Sequence, residues 1–238
     1  MKQFAIIGIS IFGERMLEEL SETSCEILII DKDAEIIEKY KEKVTSAYIA
    51  DVINQETIKK LIPATIDAAI VDLGDKIEVS ILVTNYLSKL GIRKIIVKAE
   101  TDEHAEILNI VGATQIVFPN REAAKRITPL LVSSLLFNYM PISNGLVMAE
   151  VKVPDGYTGQ TLIEADLRRT QQLNVIAIRK EEESDYEFFS PDYRLQNDDI
   201  FLLVGKEKNV SSFSGMDISL RKSGFTGFFK TLFGRKNR

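Results

Sequence analysis

Residues 2–31 constrain the fold more tightly than any other stretch of the chain. Residues 3–7 form a short apolar run ending in two isoleucines, as in a strand buried on both faces, and Gly8 stops it. From Phe12 the apolar residues fall at helical spacing, at Phe12, Met16, Leu17 and Leu20. Residues 26–30 form a second apolar run, closed by Asp31. A strand, a tight glycine turn, a helix and a second strand tipped by an acid is the layout of a mononucleotide or dinucleotide site in a doubly wound parallel sheet.

The chemistry of that turn follows from its residues. Gly8 lets the chain turn sharply, and Gly13 lets the helix pack close to the sheet. The first helical turn leaves backbone N–H groups without intrahelical partners and carries partial positive charge, so it suits phosphate or pyrophosphate. Asp31 is spaced from Gly13 as a carboxylate that accepts hydrogen bonds from a ribose, and it disfavours NADP by repelling a 2′-phosphate. Ser10 replaces the middle glycine of G-x-G-x-x-G. Its side chain crowds a pyrophosphate, while its hydroxyl is available to a phosphate oxygen. The competing expectation is a nucleotide-type fold whose site is weak or empty.

Strict strand–helix alternation continues through residue 119. Strands are expected at 47–50, 68–71, 94–97 and 115–118, with strand ends about 20 residues apart, which implies right-handed crossovers and a parallel sheet. Asn54 is placed to cap one helix, and Asp75 with Glu78 has capping-box spacing before another. Ligands in such sheets sit beyond the carboxyl ends of the strands, so Gly8–Gly13, Asp31, Asp51, Asp72 to Gly74 and Lys98 are the candidates. Each acid also has an ordinary reading as a strand-end or capping residue.

Residues 120–139 read as one long helix, apolar over much of its circumference, with Pro129 inside it. That much apolar surface suggests cover by a second subunit. After residue 144 the pattern changes to short strands at 146–153, 174–179, 186–189 and 200–204, with a short helix at 161–166: a small α+β lobe. Four segments result: a Rossmann-like domain at 1–119, a crossover and dimerisation helix at 120–141, a second lobe at 142–206, and a tail at 207–238. In the tail, residues 211–215 and 219–227 read as flexible linker, and 224–238 interleaves phenylalanines with Lys and Arg. A helix there would suit anionic lipid or an acidic groove on a partner; otherwise the tail is disordered and solvated.

Composition narrows the class. No apolar run approaches the ~20 residues that span a bilayer, the N-terminus passes directly into a strand, and the single Cys25 has no disulfide partner, so a cytoplasmic location is expected. Residues 207–238 carry net charge +5, which leaves the rest acidic at −10 and argues against nucleic acid as a partner. One histidine, His104, and one cysteine make neither a catalytic triad nor a usual zinc site.

Residues 1–206 resemble the RCK (regulator of potassium conductance) subunits of bacterial Ktr/Trk potassium-uptake systems. The resemblance is carried by residues 7–13, Ile-Ile-Asp at 29–31, Ala-Asp at 50–51, Ser-Ile-Leu at 80–82, Ile-Val-Lys-Ala at 96–99, His104, Leu108 with Gly112-Ala113, and Val-Phe-Pro at 117–119. In the second lobe it is carried by Leu-Arg at 167–168, the run 174–179, Ser-Pro at 190–191, Asp-Ile at 199–200 and Gly205. It implies a non-catalytic, cytoplasmic, nucleotide-sensing subunit, peripheral to the membrane. Dimers would assemble into an octameric ring docked on a membrane potassium pore and gated by ATP/ADP or NAD(H).

The site residues it implies are Gly8, Ser10, Ile11, Phe12, Gly13, Asp31, Lys32, Asp51, Val52, Leu73, Gly74 and Lys98, with Glu122 near a phosphate or cation region. Arg168, Asn174, Val175 and Pro191 would be the positions for cyclic di-AMP. Two departures stand out. Ile11 occupies the place of an arginine that reaches the terminal phosphate, and Asn120 the place of an acid, so a weak preference for ATP is expected. The alternative, an NAD-dependent oxidoreductase of a small substrate, requires a catalytic acid or base and a substrate pocket in 144–206, and the sequence offers neither.

Overall fold

The computed structural model describes residues 1–216, and two compact units divide between Asn120 and Arg121. In the first, strands and helices alternate: β1 (Lys2–Ile7), α1 (Ile11–Ser21), β2 (Cys25–Asp31), α2 (Ala34–Tyr40), β3 (Ser46–Ile49) and α3 (Gln55–Leu61). Then come β4 (Ala68–Val71), α4 (Ile77–Lys89), β5 (Ile95–Lys98), α5 (Asp102–Val111) and β6 (Gln115–Val117), and α6 (Pro119–Val132) runs on into the second unit. The six strands are all parallel, in the order β3-β2-β1-β4-β5-β6. The order reverses at β1 and β4, and a crevice opens beyond their carboxyl ends.

Successive residues of β1 feed the two cores on either side of the sheet. Ile7 packs with Val71, Val83, Leu87 and Leu108 on one face, and Ile6 packs with Leu17, Ile29, Ile37 and Ile70 on the other. All of these side chains are buried, each stabilising the fold by about 1.5–3 kcal/mol. Helix starts follow local chemistry: Asn54 accepts from the Glu56 N–H at 2.9 Å, and Thr101 from the His104 N–H at 3.1 Å. The expected capping box at Asp75 and Glu78 does not form; α4 begins at Ile77 after Lys76, with no side-chain cap.

The second unit is an antiparallel sheet in the order β7-β8-β10-β9, built from β7 (Leu136–Ser143), β8 (Leu146–Lys152), β9 (Leu173–Lys180) and β10 (Asp199–Lys206). Short helices α7 (Leu162–Ala165) and α8 (Leu167–Thr170) precede β9, and α9 (Glu207–Phe213) follows β10. Tyr139, Val151, Leu173, Phe201 and Phe213 meet in its core.

Three expectations need correction. The helix expected to reach residue 139 ends at Val132, and Leu136–Ser143 is a strand. The Ser133 hydroxyl accepts the Leu135 N–H and donates to the Ser214 carbonyl, which diverts the backbone. A register shift between Leu136 and Asn138 then brings Leu136 and Tyr139 to the same buried side, so a bulged strand imitates helical spacing. Residues 186–189 form no strand, only a bridge from Glu187 to Ile178. Residues 211–215 are not linker: Ser211 and Phe213 end a packed helix, and Ser214 is buried beside them. Residues 219–227 and 224–238 lie outside the described residues.

Phe213 stacks on Phe201 at 6.4 Å and meets Tyr157 at 5.4 Å between ring centroids. Phe213→Ala is therefore expected to destabilise the second unit by about 3 kcal/mol, read as a lower urea midpoint; an unchanged midpoint would mean that this segment does not pack.

Candidate functional site

A cavity of about 380 Å³ lies beyond the carboxyl ends of β1 to β4. Gly8 and Ser10 contribute from the first turn, Asp31 and Lys32 from the end of β2. Asp51, Val52, Leu73 and Gly74 line it from the loops after β3 and β4. Eight of the twelve site residues implied by the resemblance thus converge on one crevice.

The turn is shaped by close backbone approach. Gly8 has φ +81°, and a Cβ there would stand 2.2 Å from the Asp72 carbonyl oxygen; a Cβ on Gly13 would stand 2.6 Å from the Gly8 carbonyl oxygen. Two acids then fix the turn. One oxygen of Asp31 accepts the Ile9 N–H at 2.7 Å and the other accepts the Asp33 N–H at 2.9 Å. The carboxylate retains lone pairs for a ribose, in an orientation already set.

Asp72, at the tip of β4, is only 1% exposed. Its Oδ2 accepts the Gly13 N–H at 2.8 Å and the Ser10 hydroxyl at 2.5 Å. Its Oδ1 has no hydrogen bond, and the Lys98 ammonium stands 3.5 Å away. Lys98 also pairs with Glu100 at 2.9 Å. Burial acts to lower the Lys98 pKa, but Glu100 and Asp72 outweigh it and hold the ammonium above its ordinary value.

This geometry corrects the role expected for Ser10, because its hydroxyl proton goes to Asp72 and not to a phosphate oxygen. The backbone N–H groups of Ser10, Ile11 and Phe12 remain without partners among the described residues, so the helix start keeps its capacity for an anion. Ile11 is 80% exposed, and Phe12 packs with the core beside Leu17; neither side chain lines the crevice. Lys98 and Gly13 lie behind the turn and act on it through Asp72.

Lys76 also lines the crevice. Its ammonium is held below the ordinary lysine value, chiefly because Lys32 stands beside it. Sequence reasoning missed Lys76; it placed Asp72 among the strand-end candidates, beside an ordinary reading as a strand-end acid, without finding its contacts to Ser10 and Gly13. The available signal was an acid directly after a fully apolar strand and before Leu-Gly.

Other expected residues stand elsewhere. Glu122 is in the first turn of α6, in the second unit. Arg168 is on α8, Asn174 and Val175 are on edge strand β9, and the Pro191 carbonyl accepts the Ile163 N–H. A cavity of about 150 Å³ in the second unit is lined by none of these four, but by Arg179, Lys180, Phe189, Tyr193 and neighbours. Among the described residues no group of three or more His, Cys, Asp or Glu is placed to hold a metal ion, and no helix is long and apolar enough to cross a membrane.

His104 is buried behind the site. The Glu100 N–H donates to its Nδ1 at 3.3 Å, so the ring proton sits on Nε2, 2.7 Å from the Ser80 hydroxyl, which in turn donates to the Ile77 carbonyl. Burial pushes the imidazole below its ordinary value of 6.5. The unfolded chain therefore binds the proton first, and the stability that a neutral His104 contributes is complete above about pH 6.5 and is lost as pH falls further. Between about pH 7.5 and 5.5 the melting temperature of the native protein should fall more steeply than that of His104→Gln; parallel slopes would contradict the assignment.

Comparison with known proteins agrees with this architecture. Residues 4–119 match the TrkA-N domain and residues 146–215 the TrkA-C domain. Ktr system potassium uptake protein C of Bacillus subtilis is 32% identical over 212 residues, covering 89% of this chain and 96% of that protein. Ktr system potassium uptake protein A of Vibrio alginolyticus is 25% identical over 213 residues, with 89% and 96% covered. Among solved structures, the GsuK RCK domain superposes with a TM-score of 0.62 at 16% identity, over 90% of this chain and 47% of that one. The GsuK channel bound to NAD gives 0.63 at 18%, over 90% and 39%. The chain spans less than half of either solved chain, and these two likenesses show the fold. On its relatives and its two domains, this chain belongs to the family of Ktr system potassium uptake proteins with TrkA-N and TrkA-C domains.

Proposed function

We propose that this protein is the cytoplasmic, nucleotide-sensing gating subunit of a potassium-uptake system, peripheral to the membrane and docked on an integral-membrane pore subunit. The observation that carries the reading is the crevice at the sheet's switch point, which Ser10, at the start of α1, lines together with Asp31, while the N–H groups of Ser10, Ile11 and Phe12 have no partners among the described residues. That arrangement suits the ribose and phosphate of an adenine nucleotide, ATP/ADP or NAD(H). The coverage of the Bacillus subtilis uptake protein over nearly its whole length supports the potassium-uptake role.

Gating requires the ligand to bind two conformations of the assembly with different affinity; equal affinity shifts nothing. Pairing of subunits fits α6, where Ile127, Leu131 and Val132 are exposed on a helix with little burial of its own. We take such dimers to build an octameric ring. A cation near Glu122 and cyclic di-AMP at Arg168, Asn174, Val175 and Pro191 belong to the same reading. No observation favours the oxidoreductase alternative, and the named relatives are potassium uptake proteins.

Asp31→Ala should weaken nucleotide binding by about 1–3 kcal/mol in titration calorimetry; unchanged heats would refute the ribose role. In cells, the protein should co-purify with a multi-pass membrane protein, and its deletion should impair potassium uptake. Uptake that is indifferent to the deletion would overturn the proposal.

A further inference from the structure

Asp72 introduces a charge where a phosphate-binding turn would be expected to have none. Its carboxylate is buried at the start of α1, and two donors of the turn, the Ser10 hydroxyl and the Gly13 N–H, point at it. One oxygen has no hydrogen-bond partner. The nearby cation does not cancel the charge, because Lys98 is shared between Asp72 at 3.5 Å and Glu100 at 2.9 Å, leaving the trio one negative charge in excess. Ile11, at the exposed first position of the helix, supplies no positive charge. Asp31, Asp33, Asp51 and Asp75 also line the crevice, against Lys32 and Lys76.

We propose, on the basis of the nucleotide reading above, that Asp72 is a specificity-determining residue. Acting as a built-in anion at the head of α1, it restricts the crevice to adenine ligands of low phosphate charge, AMP or NAD, over ADP and ATP. Two effects act together. Each added phosphoryl group brings more negative charge toward a buried carboxylate in a medium that screens poorly. The turn also offers fewer free donors to a polyphosphate, since Gly13 and Ser10 are engaged.

The test is titration calorimetry of the full chain with adenosine, AMP, ADP, ATP and NAD, each without divalent cation, followed by the same series on Asp72→Asn. Asparagine keeps an acceptor for Gly13 and Ser10 while removing the charge. In the native protein AMP and NAD should bind on the order of tenfold more tightly than ATP, and Asp72→Asn should shift the ATP-to-AMP affinity ratio toward ATP by a similar factor. ATP binding more tightly than AMP to the native protein, or a ratio unmoved by Asp72→Asn, overturns the proposal while leaving the nucleotide reading intact. If none of the five ligands binds the native protein, the nucleotide reading falls and this inference falls with it. Should Asp72→Asn fail to fold, the order of affinities on the native protein decides alone.

Discussion

The first strand and the fourth can lie side by side only because residue 8 has no side chain. A Cβ at Gly8 would sit 2.2 Å from the carbonyl oxygen of Asp72, within the backbone that leaves β4. That contact sets where α1 begins, and with it the place of the Ser10, Ile11 and Phe12 N–H groups, which have no partners among the described residues. The pairing of β1 with β4 runs from Phe4 to Ile7 against Ala68 to Val71, so the tips of both strands reach the same level. Layered cores on both faces hold the sheet, but the backbone fit at Gly8 and Gly13 makes a site of its edge.

Charge is arranged around that fit in a linked series. His104 holds the Glu100 backbone, the Glu100 side chain holds Lys98, and Lys98 faces Asp72, which in turn holds Gly13 and Ser10. These contacts join α5 and the end of β5 to the first turn of α1. A buried carboxylate is tolerated where donors and a cation surround it; here the helix start and Lys98 supply both. The series continues to α4, where Ser80 and Ile77 end the chain of hydrogen bonds.

The first unit was legible in the sequence because its signals are local. Strands buried on both faces read as unbroken apolar runs, and Asn54 announces its helix by chemistry confined to three residues. The role of Asp72 was not legible, because its partners Ser10 and Gly13 lie 62 and 59 residues away in sequence, and nothing nearby distinguishes it from a strand-end acid. In the second unit a bulge gave β7 the spacing of a helix. Helix α9 was missed because Ser211, Ser212, Ser214 and Gly215 read as linker until Ser133 is seen to bond the Ser214 carbonyl. The misses at Asp72 and α9 arise where a long-range contact, not a local pattern, decides the conformation.

Occupancy of the crevice underlies the proposed gating role, the proposed ribose contact and the proposed selectivity alike. A crystal structure of the full chain grown with AMP, and another with NAD, measures it directly. The ribose hydroxyls should lie within hydrogen-bond distance of Asp31, with a phosphate oxygen on the Ile11 and Phe12 N–H groups. A crevice holding only water at saturating ligand, or a nucleotide bound elsewhere on the chain, would contradict it.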